Sequence, residues 1–452
     1  MSFQDRAKQF NNAESLAAGY LEYYYKGQEV SYPINPFTFL KAEGIVFTLS
    51  AFHKLEGVYI PIATADDVPT VGINCNRPIT RQRYTAAHEL CHHFRDADKQ
   101  TTCLIKGKKN SIEKFAESFA AALLMPFAEL RTQVRKRAKN GTVSFDDILE
   151  IADYFGVSFE ACLFRVAYKL HAIDGDTSPE ALRKRIRKYS PDKVRKSRHM
   201  TYTKLYADLL DSLQGQLAFT PTEHAKYLFQ NEYIYNDSRM EGLDVTIDAA
   251  SEIVTDLRLK SQNSAYCNEE NEAYLSIAGH YEMYQDIFSE PVKESITIYD
   301  ALIRNKKLFS YYPYPEFGGQ IRQNNTLVLG AKFETVDYHD IYAELAKLDA
   351  KTKEIFAKRL EMTPSEYAKN TAQIHHTFTV IHPFSEGNGR TSRAFMNVQF
   401  ARAGLPPIYI KVEDKPDYID ALSRADKYGD YDMLYEIVFR MMIRSYVDLN
   451  SE

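Results

Sequence analysis

Residues 381–393 read IHPFSEGNGRTSR, and this stretch decides the fold of the C-terminal half of the chain. Two glycines, Gly387 and Gly389, flank Asn388, so backbone N–H groups can converge there on an anion. A helix that begins near Arg390 would add its positive N-terminal end to the same point. The stretch therefore predicts an anion-binding loop that leads into a helix.

Four side chains of this stretch suit chemistry on a nucleotide phosphate. Glu386 is an oxygen ligand for Mg²⁺, which prefers a carboxylate combined with phosphate oxygens and water. Arg390 and Arg393 lie three positions apart on the emerging helix and can both face a polyphosphate. His382 can take up a proton near neutral pH. The P-loop pattern GxxxxGK[ST] is absent from the sequence, which excludes that class of nucleotide-binding enzyme.

The stretch resembles the signature of the Fic (Fic/Doc) family, HPFx[DE]GNGRxxR, at every fixed position. Residues 318–333, GGQIRQNNTLVLGAKF, resemble the flap of that family and predict a β-hairpin. The resemblance implies an all-α domain that transfers AMP from ATP to a protein hydroxyl, with His382 as the base and Glu386 as the Mg²⁺ ligand. It also implies nucleotide contacts from Glu386, Gly387, Asn388, Gly389, Arg390 and Arg393.

A segment upstream of this core suggests regulation. Many Fic proteins carry an inhibitory helix with the pattern [ST]xxxE[GN], whose glutamate pairs with the second arginine of the motif. Residues 235–246, YNDSRMEGLDVT, contain Glu241 followed by Gly242, but Asp237 occupies the Ser/Thr position. The resemblance implies that Glu241 is inhibitory, in a helix over about residues 228–246. An ordinary helix end is the alternative, since Glu-Gly pairs are common.

A second reactive stretch, YTAAHELCHHFRDAD, covers residues 84–98. His88 and His92 are four positions apart, so a helix would direct both imidazoles at one metal ion. Glu89 would lie beside that face, where it could act as general base on a metal-bound water. A zinc hydrolase also needs a third protein ligand and an open fourth position.

Glu113 is the best candidate for the third ligand. It borders the apolar face of a helix predicted over residues 112–125, where an unpaired charge would be costly. The metzincin pattern is excluded because Arg95 and Asp98 stand where it requires Gly and His, although Asp98 is the next candidate ligand. Glu117, one turn after Glu113, could hold a zinc histidine through its other ring nitrogen.

From roughly residue 10 to 170, the chain resembles the ImmA/IrrE family of zinc metallopeptidases. The similarity rests on RQRYTAAHELCHHF, on EKFAESFAAALLMP about 20 residues later, and on IADYFGVS. It implies zinc binding by His88, His92 and Glu113 and general-base catalysis by Glu89. Cys91 replaces the usual Gly, and Glu117 replaces the usual Asn or Asp. A metal-stabilised recognition domain that cuts nothing is the alternative.

We predict two domains, an α+β zincin-like metallopeptidase domain followed by an all-α Fic domain with a β-hairpin flap. IVFTLSAF, GVYIPIA and TVGINCN are short and β-rich, and they predict three strands before the zinc helix. The predicted ranges are 1–172 for the first domain, 173–200 for a basic linker and 201–452 for the Fic domain, with its core at about 295–448. The linker holds RKRIRKYSPDKVRKSRH, with nine Lys or Arg and one acid, which is typical of a solvated hinge or a contact with nucleic acid or an acidic partner.

The composition is that of a soluble globular protein, with 44% hydrophobic and 26% charged residues and a formal net charge of −5. No apolar run approaches the ~20 residues that cross a bilayer, and the polar N-terminus lacks a signal core, so we predict no membrane association. The five cysteines form no CxxC pair, which suits a reducing cytoplasm. Apart from the basic linker, nothing predicts a nucleic-acid partner.

The sequence thus predicts a protein adenylyltransferase that uses Mg²⁺ and ATP, is restrained by Glu241, and is fused to a zinc metallopeptidase-like domain. By analogy, that domain senses or cleaves a repressor or antitoxin in a toxin–antitoxin or stress-response module. Two alternatives stay open. The peptidase could be the main activity, regulated by a nucleotide-binding Fic domain, or the chain could be a non-catalytic scaffold. The sequence does not distinguish AMP transfer from AMP removal, and it gives no oligomeric state.

Overall fold

The computed structural model describes residues 2–64, 66–105, 110–218, 222–261, 271–289, 295–313, 318–327 and 334–450. The chain divides into two compact units, Met1–Ser212 and Leu213–Glu452. The first combines helices with a small mixed sheet, and the second is helical in the residues described, as the predicted fold class requires.

The N-terminal unit consists of a sheet with helices before, within and after it. The strands are β1 (Val46–Ser50), β2 (Leu55–Ile60), β3 (Thr70–Asn74) and β4 (Thr101–Leu104). The helices are α1 (Phe3–Ala7), α2 (Ala13–Tyr25), α3 (Pro36–Ala42), α4 (Ile79–Arg95), α5 (Ser111–Leu124), α6 (Phe127–Arg137), α7 (Phe145–Phe155), α8 (Phe159–Arg165), α9 (Pro179–Tyr189), α10 (Pro191–Ser197) and α11 (Thr203–Ser212). A π-helical turn, Val166–Leu170, follows α8.

The sheet has the strand order β1-β3-β2-β4. β1 runs parallel to β3, whereas β2 is antiparallel to both β3 and β4. The three strands predicted from sequence are confirmed. β4 was not predicted, because its four residues, TTCL, are too few to show an alternating pattern, and of them Cys103 alone is buried.

Helices α4 and α5 pack against each other and carry the zinc-type residues. α4 follows Pro78, which cannot donate a backbone hydrogen bond and so starts a helix readily. The side chain of Asn110 caps α5 by accepting from the backbone N–H of Glu113. α5 ends at Leu124, before Pro126, as predicted.

The basic segment predicted as a linker is helical and belongs to the N-terminal unit. It forms α9 and α10, and three of its arginines make ion pairs with acids of that unit. These pairs are Arg183–Glu160 at 3.3 Å, Arg195–Asp153 at 2.8 Å and Arg198–Asp146 at 2.8 Å. The unit boundary therefore falls at 212/213, after α11, and not within residues 173–200. Charge composition alone suggested a hinge because the acidic partners lie far away in the sequence.

The C-terminal unit is built from helices around the motif. They are α12 (Glu223–Met240), α13 (Ile247–Leu259), α14 (Glu272–Ser289), α15 (Tyr299–Leu308), α16 (Ile341–Ala357), α17 (Pro364–Ile381), α18 (Asn388–Arg402), α19 (Lys415–Tyr428) and α20 (Asp432–Leu449). α17 and α18 pack together, and the loop between them is the HPFSEGNGR motif. Within the described ranges, no helix is both long and apolar enough to span a membrane.

The predicted flap, residues 318–333, falls partly outside the described residues, since 328–333 are not among them. Residues 318–327 contain no strand. They nevertheless meet the chain beyond the flap, where Asn325 Nδ2 donates to Asp337 at 2.8 Å and Thr335 Oγ1 donates to the carbonyl of Thr326 at 2.7 Å. The two flanks of the segment thus lie side by side, whereas the hairpin itself stays a prediction.

Candidate functional site

The motif loop connects α17 to α18 through two residues with positive φ angles. His382 has φ of 50° and ends α17, and Gly387 has φ of 76° directly before α18. The amide of Asn388 braces the loop, since its Oδ1 accepts from Phe384 N at 2.9 Å and its Nδ2 donates to Phe384 O at 2.8 Å. Phe384 is 1% exposed and so anchors the loop in the core. Asn388 thus supports the loop, and its predicted nucleotide contact stays a prediction.

Two side chains that the sequence did not single out hold this loop in place. Arg322 donates from Nε to the carbonyl of His382 at 2.7 Å and from its backbone N–H to Pro383 O at 2.9 Å. Asn305, on α15, donates to the carbonyl of Glu386 at 3.1 Å. Asn305 matches no sequence pattern, and Arg322 lies in the segment predicted as the flap, whose pattern does not predict a contact with the motif loop.

The predicted catalytic and magnesium-binding side chains have suitable environments. Burial lowers the pKa of His382, so its imidazole is neutral at physiological pH and able to accept a proton. The side chain of Glu386 is 64% exposed, which leaves its carboxylate accessible to a cation. Arg390 is buried, with Nη2 3.3 Å from Glu386 Oε1 and its guanidinium 5.6 Å from the centre of the Phe309 ring.

Arg393 is held by two carboxylates at the C-terminal end of α12, one on the helix and one on the residue directly after it. Its Nη2 donates to Glu241 Oε1 at 2.6 Å, and its Nε donates to Asp237 Oδ1. The other oxygen of Asp237 lies 3.0 Å from His280 Nε2. Burial opposes ionisation of Asp237, but the charge of Arg393 and the hydrogen bond from His280 lower its pKa to about 2. The predicted contact between Glu241 and Arg393 is therefore present in the structure.

Glu241 also lies at the glycine-lined part of the loop. A Cβ atom at Gly389 would be 3.1 Å from Glu241 Oε1 and 3.0 Å from Arg393 Nη1. The carboxylate is thus next to the backbone where the sequence predicts anion binding. Asp237 departs from the Ser/Thr of the inhibitory pattern, yet it directs a second carboxylate at the same guanidinium.

In the N-terminal unit, α4 and α5 bring together the three predicted zinc ligands. His88 Nε2 lies 3.2 Å from His92 Nε2 and 3.2 Å from Glu113 Oε2, and His92 Nε2 lies 3.4 Å from Glu113 Oε1. Ligand atoms of one tetrahedral zinc are about 3.3–3.6 Å apart. Both imidazoles are buried. This convergence of two ring nitrogens and a carboxylate fits a zinc ion.

The surroundings of the histidines fit the same role. His92 Nδ1 lies 3.0 Å from Asp96 Oδ2, the outer hydrogen bond that orients a metal-bound imidazole. Burial opposes protonation of His92, but hydrogen bonds to Asp96 and Glu113 raise its pKa to about 9, so a metal ion that binds here would displace a proton from the ring. The sequence predicts such a role for Glu117, whereas Asp96, four positions after His92, makes this contact. The role of Glu117 stays a prediction.

Glu89 is completely buried beside this cluster. Neither of its carboxylate oxygens has a hydrogen-bond partner among the described residues, and burial raises its pKa to about 8. Buried acids without partners are rare and typical of sites that receive a ligand. Gly57 of β2 makes room for it, since a Cβ there would be 2.8 Å from Glu89 Oε1.

The structure adds Cys103 to the cluster. Its Sγ, a nitrogen of His88 and an oxygen of Glu113 lie within 4.8 Å of one another. Cys103 is on β4, opposite Gly57 of β2, and 7% exposed. No motif in the sequence marks this residue, because the strand that positions it was not predicted.

The motif loop and the cluster of zinc-type residues each lie within a part of the chain that matches a family model. The family model described as IrrE N-terminal-like domain matches residues 43–167, and that of the Fic/DOC family matches residues 293–400. The chain is 28% identical over 218 residues to a protein adenylyltransferase Fic from Nematostella vectensis, which covers 47% of each protein. It is 46% identical over 69 residues to one from Culex quinquefasciatus, covering 15% of this chain and 13% of the relative. The chain thus spans less than half the length of these curated relatives.

Among solved structures, the chain matches Fic-1 from C. elegans with a TM-score of 0.46 and 18% identity, covering 67% of this chain and 85% of that one. A Fic-domain-containing signalling protein from Bacteroides thetaiotaomicron has a TM-score of 0.43 and 23% identity, covering 53% of this chain and 95% of that one. The assignment of families rests on the sequence matches. Along this chain, an IrrE N-terminal-like domain at residues 43–167 is followed by a domain of the Fic/DOC family at residues 293–400.

Proposed function

We propose that the C-terminal unit transfers AMP from ATP to a hydroxyl group of a target protein. In this reaction the hydroxyl oxygen attacks the α-phosphorus, a P–O bond forms, the bond to the β-phosphate breaks, and pyrophosphate leaves. The curated relatives that the chain matches are named protein adenylyltransferases. The observation that carries the proposal is the motif loop, in which a neutral histidine, an accessible carboxylate and buried arginines surround a helix N-terminus.

Each group has a defined task in that step. His382 takes the proton of the attacking hydroxyl, and its lowered pKa keeps it in the basic form. Arg390 and the N-terminal end of α18 face the phosphates. Glu386 would hold Mg²⁺, which neutralises charge on the polyphosphate when it is bound. The remaining contribution is alignment, since in-line geometry is most of what such a site supplies.

We further propose that α12 inhibits this activity through Glu241. The Fic resemblance assigns Arg393 to the γ-phosphate, and here the carboxylates of Asp237 and Glu241 already bind its guanidinium. ATP that binds while Arg393 is engaged would lack this anchor, so its α-phosphate would be out of line. Removal of the Glu241 carboxylate should free one edge of the guanidinium and increase transfer.

Labelled ATP tests both proposals. The protein is incubated with Mg²⁺, α-labelled ATP and a lysate, and the label on proteins is compared between native chain, Glu241→Gly and Glu241→Gly/His382→Ala. We expect strong labelling by Glu241→Gly, including self-modification, and none by the double variant. Equal labelling by the native chain and Glu241→Gly would contradict inhibition alone. Labelling that survives His382→Ala would contradict the transfer mechanism.

For the N-terminal unit, we propose zinc binding and peptide-bond hydrolysis on a partner protein, such as a repressor or antitoxin. His88, His92 and Glu113 would hold the metal, which activates water for attack when it is bound. Glu89 would take the proton from that water, since the charge of a bound metal would favour the ionised carboxylate that burial alone disfavours. The supporting observation is the unpartnered, fully buried carboxylate of Glu89 beside three converging donor atoms.

Metal analysis and cleavage assays separate the roles of these residues. Glu113→Ala should lose zinc, whereas Glu89→Gln should keep zinc and lose proteolysis. Undiminished zinc in Glu113→Ala would contradict the ligand assignment. If the native chain binds zinc but cleaves no partner, the unit is a metal-stabilised recognition domain.

A further inference from the structure

We propose that the thiolate of Cys103 is a fourth protein ligand of the zinc site, so that the resting site is closed by two histidines, one glutamate and one cysteine. This inference rests on the proposed zinc site and adds to it a ligand and a means of control. The sequence resemblance supplies three ligands, whereas Cys103 comes from the fold alone.

Cys103 lies close enough to two of the predicted zinc ligands to share a metal ion with them. Sγ of Cys103, a ring nitrogen of His88 and a carboxylate oxygen of Glu113 are within 4.8 Å of one another. A ring nitrogen and a thiolate bound to one zinc are about 3.6 Å apart, so shifts of up to about 1.2 Å would bring these three donors onto one ion. His92 Nε2 lies 3.2 Å from His88 Nε2, in the same cluster. Thiolate is also among the ligands that zinc prefers.

The fold places Cys103 beside these ligands because the sheet comes close to α4. Cys103 pairs with Gly57 across the β2–β4 ladder, next to a shift in register between Leu55 and Gly57. A side chain at Gly57 would collide with Thr85 Cγ2 at 2.4 Å and with Glu89 Oε1 at 2.8 Å. The glycine therefore lets the sheet approach the ligand-bearing face of α4 and places β4 beside it. On β4, Cys103 is the residue whose side chain is buried against the cluster.

A fourth protein ligand would close the position that a hydrolytic zinc keeps open for water. A hydrolytic zinc keeps one position open for water, and sites with four protein ligands are closed. With Cys103 bound, Glu89 would face a position without water. Hydrolysis would then require Cys103 to leave the metal, for instance when a partner protein moves β4. The thiolate would make zinc binding tighter and suppress cleavage at the same time.

Cobalt spectroscopy of the full chain tests the inference. The metal is replaced by Co²⁺ in the native protein, in Cys103→Ala and in the control Cys91→Ala, which removes another buried thiol, on α4. Visible ligand-field bands report metal in a tetrahedral site, and a near-ultraviolet band reports a thiolate ligand. We expect both in the native protein and in Cys91→Ala, and the ligand-field bands alone in Cys103→Ala. Competition with a chelator should show at least about tenfold weaker metal binding by Cys103→Ala.

The outcomes distinguish this inference from the zinc site itself. Ligand-field bands without a thiolate band in the native protein would overturn the role of Cys103 and leave the three-ligand site intact. Absence of cobalt from the native protein would overturn both. If Cys103→Ala fails to fold, X-ray absorption of the native zinc protein decides, since a sulfur neighbour at about 2.3 Å is required and nitrogen and oxygen neighbours alone would refute it.

Discussion

At the scale of single residues, the Fic-type loop depends on a histidine held in an unusual backbone conformation. His382 has φ of 50°, which non-glycine residues rarely adopt and which the surrounding structure must enforce. The hydrogen bond from Arg322 to its carbonyl provides that restraint. The orientation of the imidazole and its basicity therefore depend on residues outside the motif.

The pH dependence of AMP transfer should reflect the burial of His382. Burial lowers its pKa from the ordinary value of 6.5, so the basic form persists to lower pH. We expect the acid limb of the kcat profile, measured for Glu241→Gly, to have its midpoint below pH 6.5. ATP binding measured across the same range controls for loss of substrate. A midpoint at or above pH 6.5 would contradict the assignment of buried His382, with its lowered pKa, as the base.

Arg322→Lys should lower kcat and leave the KM for ATP nearly unchanged. Lysine keeps the charge but lacks the planar array of donors that reaches several carbonyls at once. Small displacements of a catalytic group cost up to about 100-fold, so we expect a loss of at least about tenfold in the Glu241→Gly background. Arg359→Lys is a matched control, because Arg359 Nη1 donates to the carbonyl of Phe356 at 3.0 Å and its guanidinium lies over the Phe356 ring, at the C-terminal end of α16. An unchanged kcat would show that Arg322 is not a positioning residue.

At the scale of helices and strands, periodic and motif-bearing elements could be predicted from the sequence, and the rest could not. The spacing of His88 and His92 predicts α4, the apolar face next to Glu113 predicts α5, and the glycines predict the loop before α18. β4 was missed because four residues give no period, and with it Cys103 was missed. Arg322 and Asn305 were missed because a hydrogen bond to a distant backbone carbonyl leaves no local pattern in the sequence.

Two carboxylates at the C-terminal end of α12, Asp237 on the helix and Glu241 directly after it, should differ in their effect on stability. Asp237 is 4% exposed and paired with Arg393 and His280, whereas Glu241 is 29% exposed. Removal of one partner of a buried ion pair costs about 3–5 kcal/mol, so Asp237→Asn should lower the free energy of unfolding by roughly that amount. Glu241→Gly should lower it by less. Denaturant unfolding of both variants measures the difference.

The contribution of Asp237 should also depend on pH in a defined direction. Its pKa is depressed from 3.8 to about 2 in the folded protein, so its stabilisation is complete above pH 3.8 and is lost as pH falls towards 2. The gap between native chain and Asp237→Asn should therefore narrow across this window. Equal stability of Asp237→Asn and Glu241→Gly at pH 7 would contradict the division into a structural and a regulatory carboxylate.

At the scale of the whole molecule, each of the two compact units contains all the residues of its own site. The zinc-type cluster lies within Met1–Ser212 and the motif loop with its α12 carboxylates within Leu213–Glu452. The first unit extends beyond its family match, which ends at residue 167, because α9, α10 and α11 also belong to it. The limits of a family match therefore underestimate the folded unit.

The extent of the first unit predicts which fragment folds. In α11, Leu205, Leu209 and Leu210 are at most 3% exposed, and Asn35 donates to Asp208 O at 3.4 Å and to Ser212 Oγ at 3.3 Å. Burial of one leucine contributes about 1.5–3 kcal/mol, so the three together are comparable to the net stability of a typical domain.

A fragment of residues 1–212 should therefore unfold in one cooperative transition at a clearly higher temperature than a fragment of residues 1–172. The shorter fragment exposes the apolar surface that α11 covers and should bind ANS, a dye that reports exposed hydrophobic surface. A fragment of residues 1–200, which keeps α9 and α10, isolates the contribution of α11 and should resemble the shorter one. Scanning calorimetry gives the transition temperatures. Coincident transitions for fragments 1–172 and 1–212 would place the boundary where the sequence predicted it, and α11 would then be a connecting helix outside the folded unit.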